Sequence, residues 1–228
     1  MRFWQYPMLH PVCYAFCMKF HDRTEAGKKL AEKLREFAGM PDVLLYALPR
    51  GGVEVGAEVA RALGCRMDVI VTRKIGAPSN EEYAIGALAE TGETVWNEAE
   101  REASDPKKIE EIVKKEKEES RRRIDAYRKG VELQSFEGKT VVIVDDGIAT
   151  GLTMKAAILA ARHQNATRIV VAVPHGAKES ISDLRKDGVE VIALHEPIWY
   201  GAVGEFYEAF PQLTDADVER FLKETNNL

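Results

Sequence analysis

Short apolar runs alternate with amphipathic stretches along most of the chain. Five largely apolar runs predict buried strands, at 43–48, 67–72, 141–144, 169–173 and 189–194. Helical spacing of apolar residues predicts helices at 22–37, 53–63, about 152–162 and about 177–186. Strands that are apolar on both faces and separated by helices are covered on both sides and therefore parallel. The pattern predicts an α/β fold with a doubly wound, mostly parallel sheet.

Two segments interrupt this alternation. The segment 74–102 contains three glycines, one proline and few long apolar runs, which predicts a long loop with a short strand at 94–96. The segment 105–129 predicts a highly charged helix, capped by Ser104 or Asp105 with Pro106 in its first turn. Its thin apolar seam is typical of a solvent-exposed helix that lies across a core.

Composition narrows the class of protein. The 228 residues suit one generous domain. Lys and Arg total 32 against 37 Asp and Glu, a formal net charge of -5, which argues against a nucleic-acid binder. No apolar run is long enough to cross a membrane. Cys13, Cys17 and Cys65 are too few for a disulfide framework, which favours a reducing compartment, and we therefore expect a cytoplasmic location.

Residues 1–19 form an extension outside the α/β pattern. The segment is apolar and aromatic, but prolines and polar residues interrupt it and no cleavage site follows, which argues against a signal peptide. Regular patterning begins only after Met18, which makes Met18 a candidate for the biological start. His10, Cys13, Cys17 and His21 form a candidate zinc set, but two prolines disrupt the helix that would align them, so we do not expect zinc here.

The strongest chemical signal follows the predicted strand at 141–144. Asp145 and Asp146 are adjacent carboxylates that lead into a loop of small residues and then a helix. In open α/β sheets ligands bind at this end of a strand, and the N–H groups of the following helix favour a phosphate. The carboxylates are available for sugar hydroxyls or a Mg²⁺ ion. The motif predicts a ligand with a phosphate and a diol, and its loop residues are Gly147, Ile148, Ala149, Thr150, Gly151, Leu152 and Thr153.

This segment resembles the phosphoribosyl-pyrophosphate signature of type I phosphoribosyltransferases, with four apolar residues, two acids and a small Thr-Gly-x-Thr loop. The resemblance implies that Asp145 and Asp146 hold the ribose hydroxyls, and Mg²⁺ directly or through water, while residues 149–153 wrap the 5-phosphate. Pro49, Arg50, Gly51 and Gly52 similarly resemble the family's pyrophosphate loop. There Arg50 would supply charge and the glycines close backbone approach.

Further matches are positional or confined to one branch of the family. A mobile loop that closes over the reacting centre is expected at about 74–104, and Lys74 at its start would reach the pyrophosphate. Two short motifs resemble a bacterial branch of the family, with Asp22, Arg23, Ala26 and Gly27 near the start and Gly204 and Tyr207 near the end. We expect one domain at 20–228 after the extension at 1–19, with a hood and tail at about 195–228.

Two positions depart from the family pattern. Ala149 stands where hypoxanthine-guanine enzymes place a catalytic Asp, so the general acid or base must come from elsewhere, and Gly147 replaces the usual aliphatic residue. Candidate acids or bases in the predicted loop are Glu81, Glu82 and Glu90. Candidates for recognition of the base are His175, His195, Trp199 and Tyr200.

The resemblance implies a Mg²⁺-dependent enzyme that transfers the 5-phosphoribosyl group from phosphoribosyl pyrophosphate to a nitrogenous base and releases pyrophosphate. Two alternatives use the same pocket: a non-catalytic sensor of phosphoribosyl pyrophosphate or a nucleotide, and a hydrolase or phosphorylase of a related ribosyl phosphate. The turn at Arg50 favours the enzyme, because a sensor has less need of a leaving-group site. The acceptor base and the oligomeric state stay open, a homodimer being one option.

Overall fold

A computed structural model of the chain describes residues 19–131 and 133–227, with the side chains in these ranges except that of Glu82. A five-stranded sheet lies at its centre, with the strand order β2-β1-β6-β7-β8 and parallel pairing throughout. Its strands are β1 (Val43–Ala47), β2 (Met67–Val69), β6 (Thr140–Val144), β7 (Arg168–His175) and β8 (Glu190–His195). The predicted doubly wound, mostly parallel α/β fold is confirmed.

Helices cover both faces of this sheet. One face packs against α1 (Arg23–Lys33), α2 (Gly51–Leu63) and α7 (Asp215–Asn226), and the other against α5 (Leu152–His163) and α6 (Lys178–Lys186). Along β6, Val142 and Val144 belong to the first layer and Val141 and Ile143 to the second. Alternate side chains of a strand point to opposite faces, which is why residues 141–144 of this strand are all apolar.

The predicted long loop at 74–102 is wrong over most of its length. A three-stranded antiparallel sheet occupies this region, built from β3 (Arg73–Ala77), β4 (Asn80–Leu88) and β5 (Thr94–Trp96). Only the short strand at 94–96 is confirmed. Glycines misled the prediction because they lie within strands: a Cβ at Gly86 would come within 2.6 Å of the Trp96 ring, and one at Gly76 within 2.3 Å of the Glu81 carbonyl oxygen. Closure of this segment over a ligand stays a prediction.

Two helices follow the small sheet. A short helix, α3 (Glu98–Glu102), precedes the long charged helix α4 (Pro106–Arg128), which Asp105 caps by accepting a hydrogen bond from the Lys107 amide at 2.9 Å. A small apolar cluster joins α4 to the antiparallel sheet, and it consists of Ile75, Ala77, Ile85, Leu88 and Ile109. The predicted charged helix is therefore present, and its seam packs on the small sheet.

The end of the described chain returns to its beginning. After β8 a 3-10 turn, Val203–Phe206, leads to a bridge between Tyr207 and Phe20. Thr214 and Asp217 then form a capping box that begins α7, and this helix packs on α2 and α4. Among the helices within 19–131 and 133–227, none combines the length and apolar character needed to cross a membrane.

Candidate active site

The two predicted ligand loops follow neighbouring strands. Ala47 at the end of β1 pairs with Val144 at the end of β6, and the Leu48 amide donates to the Val144 carbonyl at 2.9 Å. Within the sheet, β2 is the neighbour of β1 on one side and β6 is its neighbour on the other side. The strand order reverses here, and this is where ligands bind in open α/β sheets.

The turn at Arg50 packs directly against the two carboxylates. A Cβ on Gly51 would lie 1.8 Å from Oδ2 of Asp146, and one on Gly52 would lie 2.9 Å from Oδ1 of Asp145. Residues larger than glycine would collide with the acidic pair, so the two glycines let the turn approach it. The Pro49–Arg50 peptide is cis, and α2 begins immediately after it. The two motifs, separated by about ninety residues of sequence, thus form one site.

The two carboxylates have different surroundings. Arg23 donates from Nε to Oδ2 of Asp146 at 2.8 Å, with side-chain exposures of only 5% and 12%. Tyr207 donates its hydroxyl to the Asp146 carbonyl at 2.6 Å. Asp145 is more exposed, and its Oδ1 accepts a hydrogen bond from the Asp146 amide at 2.9 Å.

Burial governs the charge of this pair. Burial raises the pKa of Asp145 well above its usual range, and the neighbouring negative charge of Asp146 raises it further. Burial also raises the pKa of Asp146, against the opposing effect of Arg23. A cation bound at Asp145 would favour the ionised form, and hard carboxylate oxygens suit Mg²⁺. Within the ranges that the structure describes, no three His, Cys, Asp or Glu side chains form a metal cage, so such an ion would need further oxygen ligands from a substrate or water.

The loop after Asp146 is tied down on one side. The Ile148 amide donates to the His175 carbonyl at 3.1 Å, and the Ser180 hydroxyl donates to the Ala149 carbonyl at 2.6 Å. Gly151 takes a left-handed backbone conformation, with φ of 75°, as the residue that precedes α5. Thr150 is exposed and Thr153 is half-buried. Leu152, the first residue of α5, is buried.

A cleft of about 960 Å³ adjoins the turn at Arg50. Arg50 and Lys74 line it together with Glu81, and its walls come from β3, the start of β4 and the charged helix α4. Nη1 of Arg50 lies 3.8 Å from Oδ1 of Asp215 at the beginning of α7. Arg50 therefore connects the acidic pair to the cleft, and the predicted cations Arg50 and Lys74 share one cavity.

Comparison with known proteins assigns the fold to a family. Residues 20–210 match the family model described as a phosphoribosyl transferase domain. The chain belongs to the phosphoribosyl transferase family. Its β6 segment with Asp145 and Asp146, and its turn at Arg50, both lie within the matched residues, whereas α7 lies beyond them.

Named relatives agree with this assignment. Two Mycobacterium tuberculosis proteins, each named "Putative phosphoribosyl transferase", are 40% identical over 205 residues, which cover 89% of this chain and 46% of theirs. The chain thus spans about half the length of these curated relatives. This chain is also similar to the protein TT1426 from Thermus thermophilus, whose crystal structure is known. The two sequences are 41% identical, and the structures superpose with a TM-score of 0.72 over 91% of this chain and 99% of that chain.

Gly147, which departs from the pattern of the phosphoribosyl transferase family, has a packing reason. A Cβ at this position would lie 2.5 Å from Cε1 of His175 and 2.8 Å from Val203. His175 is fully buried, stacks on Phe206 with ring centres 4.5 Å apart, and places Nδ1 2.8 Å from the Tyr200 hydroxyl. The glycine makes room for a buried histidine behind the loop that follows Asp146.

The candidates for base recognition fall into two groups. His175 and Tyr200 contact each other in the aromatic cluster, and His195 lies at its edge, 6.0 Å from the Phe206 ring. Trp199 is 92% exposed on the surface of the predicted hood. Burial lowers the pKa of His175 to about 3, which keeps this histidine neutral at ordinary pH.

Of the candidate acids, Glu90 is a structural residue. It forms an ion pair with Arg128 in which both side chains are buried, and it accepts a hydrogen bond from the Val71 amide at 2.9 Å. Its carboxylate is therefore engaged away from the cleft that Glu81 lines, and a role of Glu90 as acid or base stays a prediction. Glu82 has its side chain outside the described part of the chain.

The candidate zinc set cannot be followed as a whole, since His10, Cys13 and Cys17 lie outside the described residues. His21 is described, and its Nδ1 lies 3.0 Å from a Glu208 carboxylate oxygen. Arg23 and Tyr207 are two site residues to which the sequence assigns no role. Both contact Asp146 in the structure, and the only signal for them in the sequence is that each belongs to a short motif.

Proposed function

We propose that this phosphoribosyl transferase family member is a Mg²⁺-dependent enzyme that transfers the 5-phosphoribosyl group from phosphoribosyl pyrophosphate to a nitrogenous base, with release of pyrophosphate. The observation that supports this most directly is the packing of Gly51 and Gly52 against Asp145 and Asp146. The turn at Arg50 contacts the carboxylate pair, and the loop after this pair leads to the N-terminus of α5. The donor carries a diphosphate, a ribose diol and a 5-phosphate in the same order.

Each part of the donor has a matching group. The N-terminus of α5, with Thr150 and Thr153, would hold the 5-phosphate, since helix N-termini favour anions. Asp145 and Asp146 would accept hydrogen bonds from the ribose hydroxyls. The diphosphate would lie toward Arg50 and Lys74, whose charges favour its departure.

Mg²⁺ would supply charge neutralisation for the diphosphate. Asp145 is the residue better suited to hold it, because Oδ2 of Asp146 is engaged by Arg23. Mg²⁺ commonly binds through one or two carboxylates together with substrate phosphates, which fits a site without a protein cage.

The chain's contribution to the reaction would be positioning and exclusion of water. A ring nitrogen of the base forms a bond to C1 of the ribose while the bond from C1 to the pyrophosphate oxygen breaks. The electron pair leaves with pyrophosphate, and the proton of the ring nitrogen passes to a general base. Fixed charges around the developing ribosyl cation lower the barrier without a covalent intermediate. Exclusion of water prevents hydrolysis of the donor at the same carbon.

The test is calorimetric titration with phosphoribosyl pyrophosphate and MgCl₂, followed by pyrophosphate release in the presence of a panel of bases. We expect the parent protein to bind and an Asp145→Asn, Asp146→Asn double variant to lose binding. Asp183→Asn, a surface change on α6 at a carboxylate paired with Lys186, is the matched control and should bind as the parent does.

Each outcome decides between the candidate functions. Binding followed by pyrophosphate release with one of the bases supports the transferase. Binding without release for any base favours a sensor on the same fold. A folded parent that fails to bind the donor overturns the assignment of the donor site.

A further inference from the structure

Two short motifs of the sequence supply none of the groups that the proposed function assigns to the donor. Asp22 and Arg23 begin one of them, and Gly204 and Tyr207 make up the other, at opposite ends of the described chain. In the fold both motifs lead to Asp146: Arg23 reaches its carboxylate at 2.8 Å, and Tyr207 reaches its carbonyl at 2.6 Å.

The first motif aims Arg23 at the site. Asp22 caps α1 by accepting a hydrogen bond from the Glu25 amide at 2.7 Å, which places Arg23 at the first position of the helix. Gly27 lets α1 lie close on α2, since a Cβ there would come within 2.8 Å of the Val55 carbonyl oxygen. The start of α1 is thereby fixed against the same helix that follows the turn at Arg50.

The second motif aims Tyr207 at the site. The Glu208 amide donates to the Phe20 carbonyl at 2.9 Å, and the Phe20 amide donates to the Phe206 carbonyl at the same distance. These bonds place Tyr207 beside the start of α1, and its ring is almost fully buried. Gly204 allows the Phe210 ring to approach, because a Cβ there would lie 2.9 Å from it.

The two motifs also hold each other. Arg23 donates from Nη1 to the Pro211 carbonyl at 2.8 Å, and its guanidinium lies 3.7 Å from the centre of the Phe210 ring. Solvent-exposed ion pairs fix the positions of their side chains only weakly. The Arg23 guanidinium is nearly buried and contacts a carboxylate, a carbonyl and an aromatic ring, so its three partners fix its orientation.

We propose that Arg23 and Tyr207 are positioning residues of the donor site, which act by holding Asp146 through its carboxylate and its carbonyl. The loop 147–151, which is proposed to hold the 5-phosphate, begins directly after Asp146. The same two contacts therefore fix the position of its first residue, Gly147. Arg23 also offsets one charge of the adjacent carboxylates, which leaves Asp145 to meet the ligand. This inference rests on the proposed function for its ligand.

The experiment measures donor affinity and stability separately. Arg23→Met, Arg23→Lys and Tyr207→Phe are titrated with phosphoribosyl pyrophosphate and MgCl₂, and each variant is unfolded with urea in the absence of ligand. The matched controls are Arg35→Met, at an exposed arginine next to α1, and Tyr46→Phe, at a buried tyrosine whose hydroxyl contacts Gln134.

We expect the affinity of folded Arg23→Met for the donor to fall about 10- to 100-fold, as is typical when a group that orients a ligand-binding side chain is lost. Arg23→Lys should recover part of the affinity because it keeps the charge. Tyr207→Phe should show a smaller loss, and both controls should bind as the parent does. Arg23→Met combined with Asp146→Asn should bind no more weakly than Asp146→Asn alone, because Arg23 acts through Asp146.

Other outcomes separate this inference from the proposed function. Variants that lose stability but bind the donor as the parent does would reduce Arg23 and Tyr207 to a purely structural role and overturn the inference. A parent that does not bind the donor overturns the proposed function. In that case the urea data still test whether Arg23 holds Asp146. If the changes in unfolding free energy of Arg23→Met and Asp146→Asn simply add in the double variant, Arg23 does not hold Asp146.

Discussion

Oδ1 of Asp215, at the start of α7, lies 3.8 Å from Nη1 of Arg50 in the turn that faces the acidic pair. Asp215 also accepts a hydrogen bond from the Tyr127 hydroxyl at 2.6 Å and pairs with Arg122 at 2.8 Å. Tyr127 and Arg122 both belong to α4. One carboxylate therefore links the last helix, the long charged helix and the cation proposed for the leaving group.

Asp215→Asn should strengthen the binding of pyrophosphate with Mg²⁺. The separation from Arg50 exceeds a hydrogen bond, so Asp215 acts there mainly as a negative charge that competes with the incoming anion. Its loss should raise affinity about two- to fivefold, the scale of a partly exposed ion pair. Calorimetric titration measures this, and Glu219→Gln, at an exposed carboxylate of the same helix, is the control. Weaker binding by Asp215→Asn would mean that Asp215 orients Arg50 and does not compete.

Gly147→Ala should destabilise the protein and weaken donor binding together. The new methyl group would press on His175 at 2.5 Å and on Val203 at 2.8 Å in a filled aromatic cluster. Overpacking of this kind costs about 1–3 kcal/mol of unfolding free energy. Urea unfolding tests it against Gly201→Ala, where the Cβ would meet only the flexible end of Glu205. Equal stability of the two variants would contradict the close packing behind the loop that follows Asp146.

His175 should make the protein less stable in mild acid. Burial lowers its pKa to about 3 from the ordinary 6.5, and the nearby His195 adds to the effect. Between these values the unfolded chain binds a proton that the folded chain does not, so the free energy of unfolding rises with pH by up to about 1.4 kcal/mol per pH unit. The contribution is complete above pH 6.5 and is lost progressively as the pH falls below it.

Comparison with His175→Phe isolates this contribution, since phenylalanine keeps an aromatic ring in the stack but does not titrate. From about pH 7.5 to about pH 5 the parent should lose roughly 2 kcal/mol more than the variant, as measured by urea unfolding. Equal losses would mean that His175 is protonated in the folded protein.

Glu90→Gln should lower stability without changing turnover by the folded protein. The substitution leaves the buried guanidinium of Arg128 without its charged partner, which typically costs about 3–5 kcal/mol. Glu100→Gln, at an exposed carboxylate that accepts from the Tyr83 hydroxyl, is the control for stability. A fall in kcat at unchanged stability would restore Glu90 as a candidate acid or base.

The sequence predicted the parallel sheet because each strand carries its own signal. Val141 and Ile143 face one helical layer and Val142 and Val144 the other, so the apolar run alone indicates burial on both sides. The antiparallel strands β3 and β4 lack such runs, and Gly76 lies inside β3 where a neighbouring backbone approaches. A local pattern could not separate these strands from a loop.

The same limit applies to the candidate site. Asp145, Asp146 and the turn at Arg50 were found because each stands next to a recognisable strand. Arg23 and Tyr207 have no local signal for their contact with Asp146, since they lie 123 and 61 residues from it in sequence. Only the folded chain brings them together.

The hydrogen bond from Arg23 to the Pro211 carbonyl joins residues 188 positions apart. Contacts at such separation form late, because the intervening chain must be ordered before they become favourable. The strands and the acidic turn can assemble from shorter loops, yet Asp146 gains both of its partners only when the segment around Tyr207 docks. The ribosome adds that segment 61 residues after the acidic turn, so a nascent chain would carry the acidic turn before Asp146 has both of its partners.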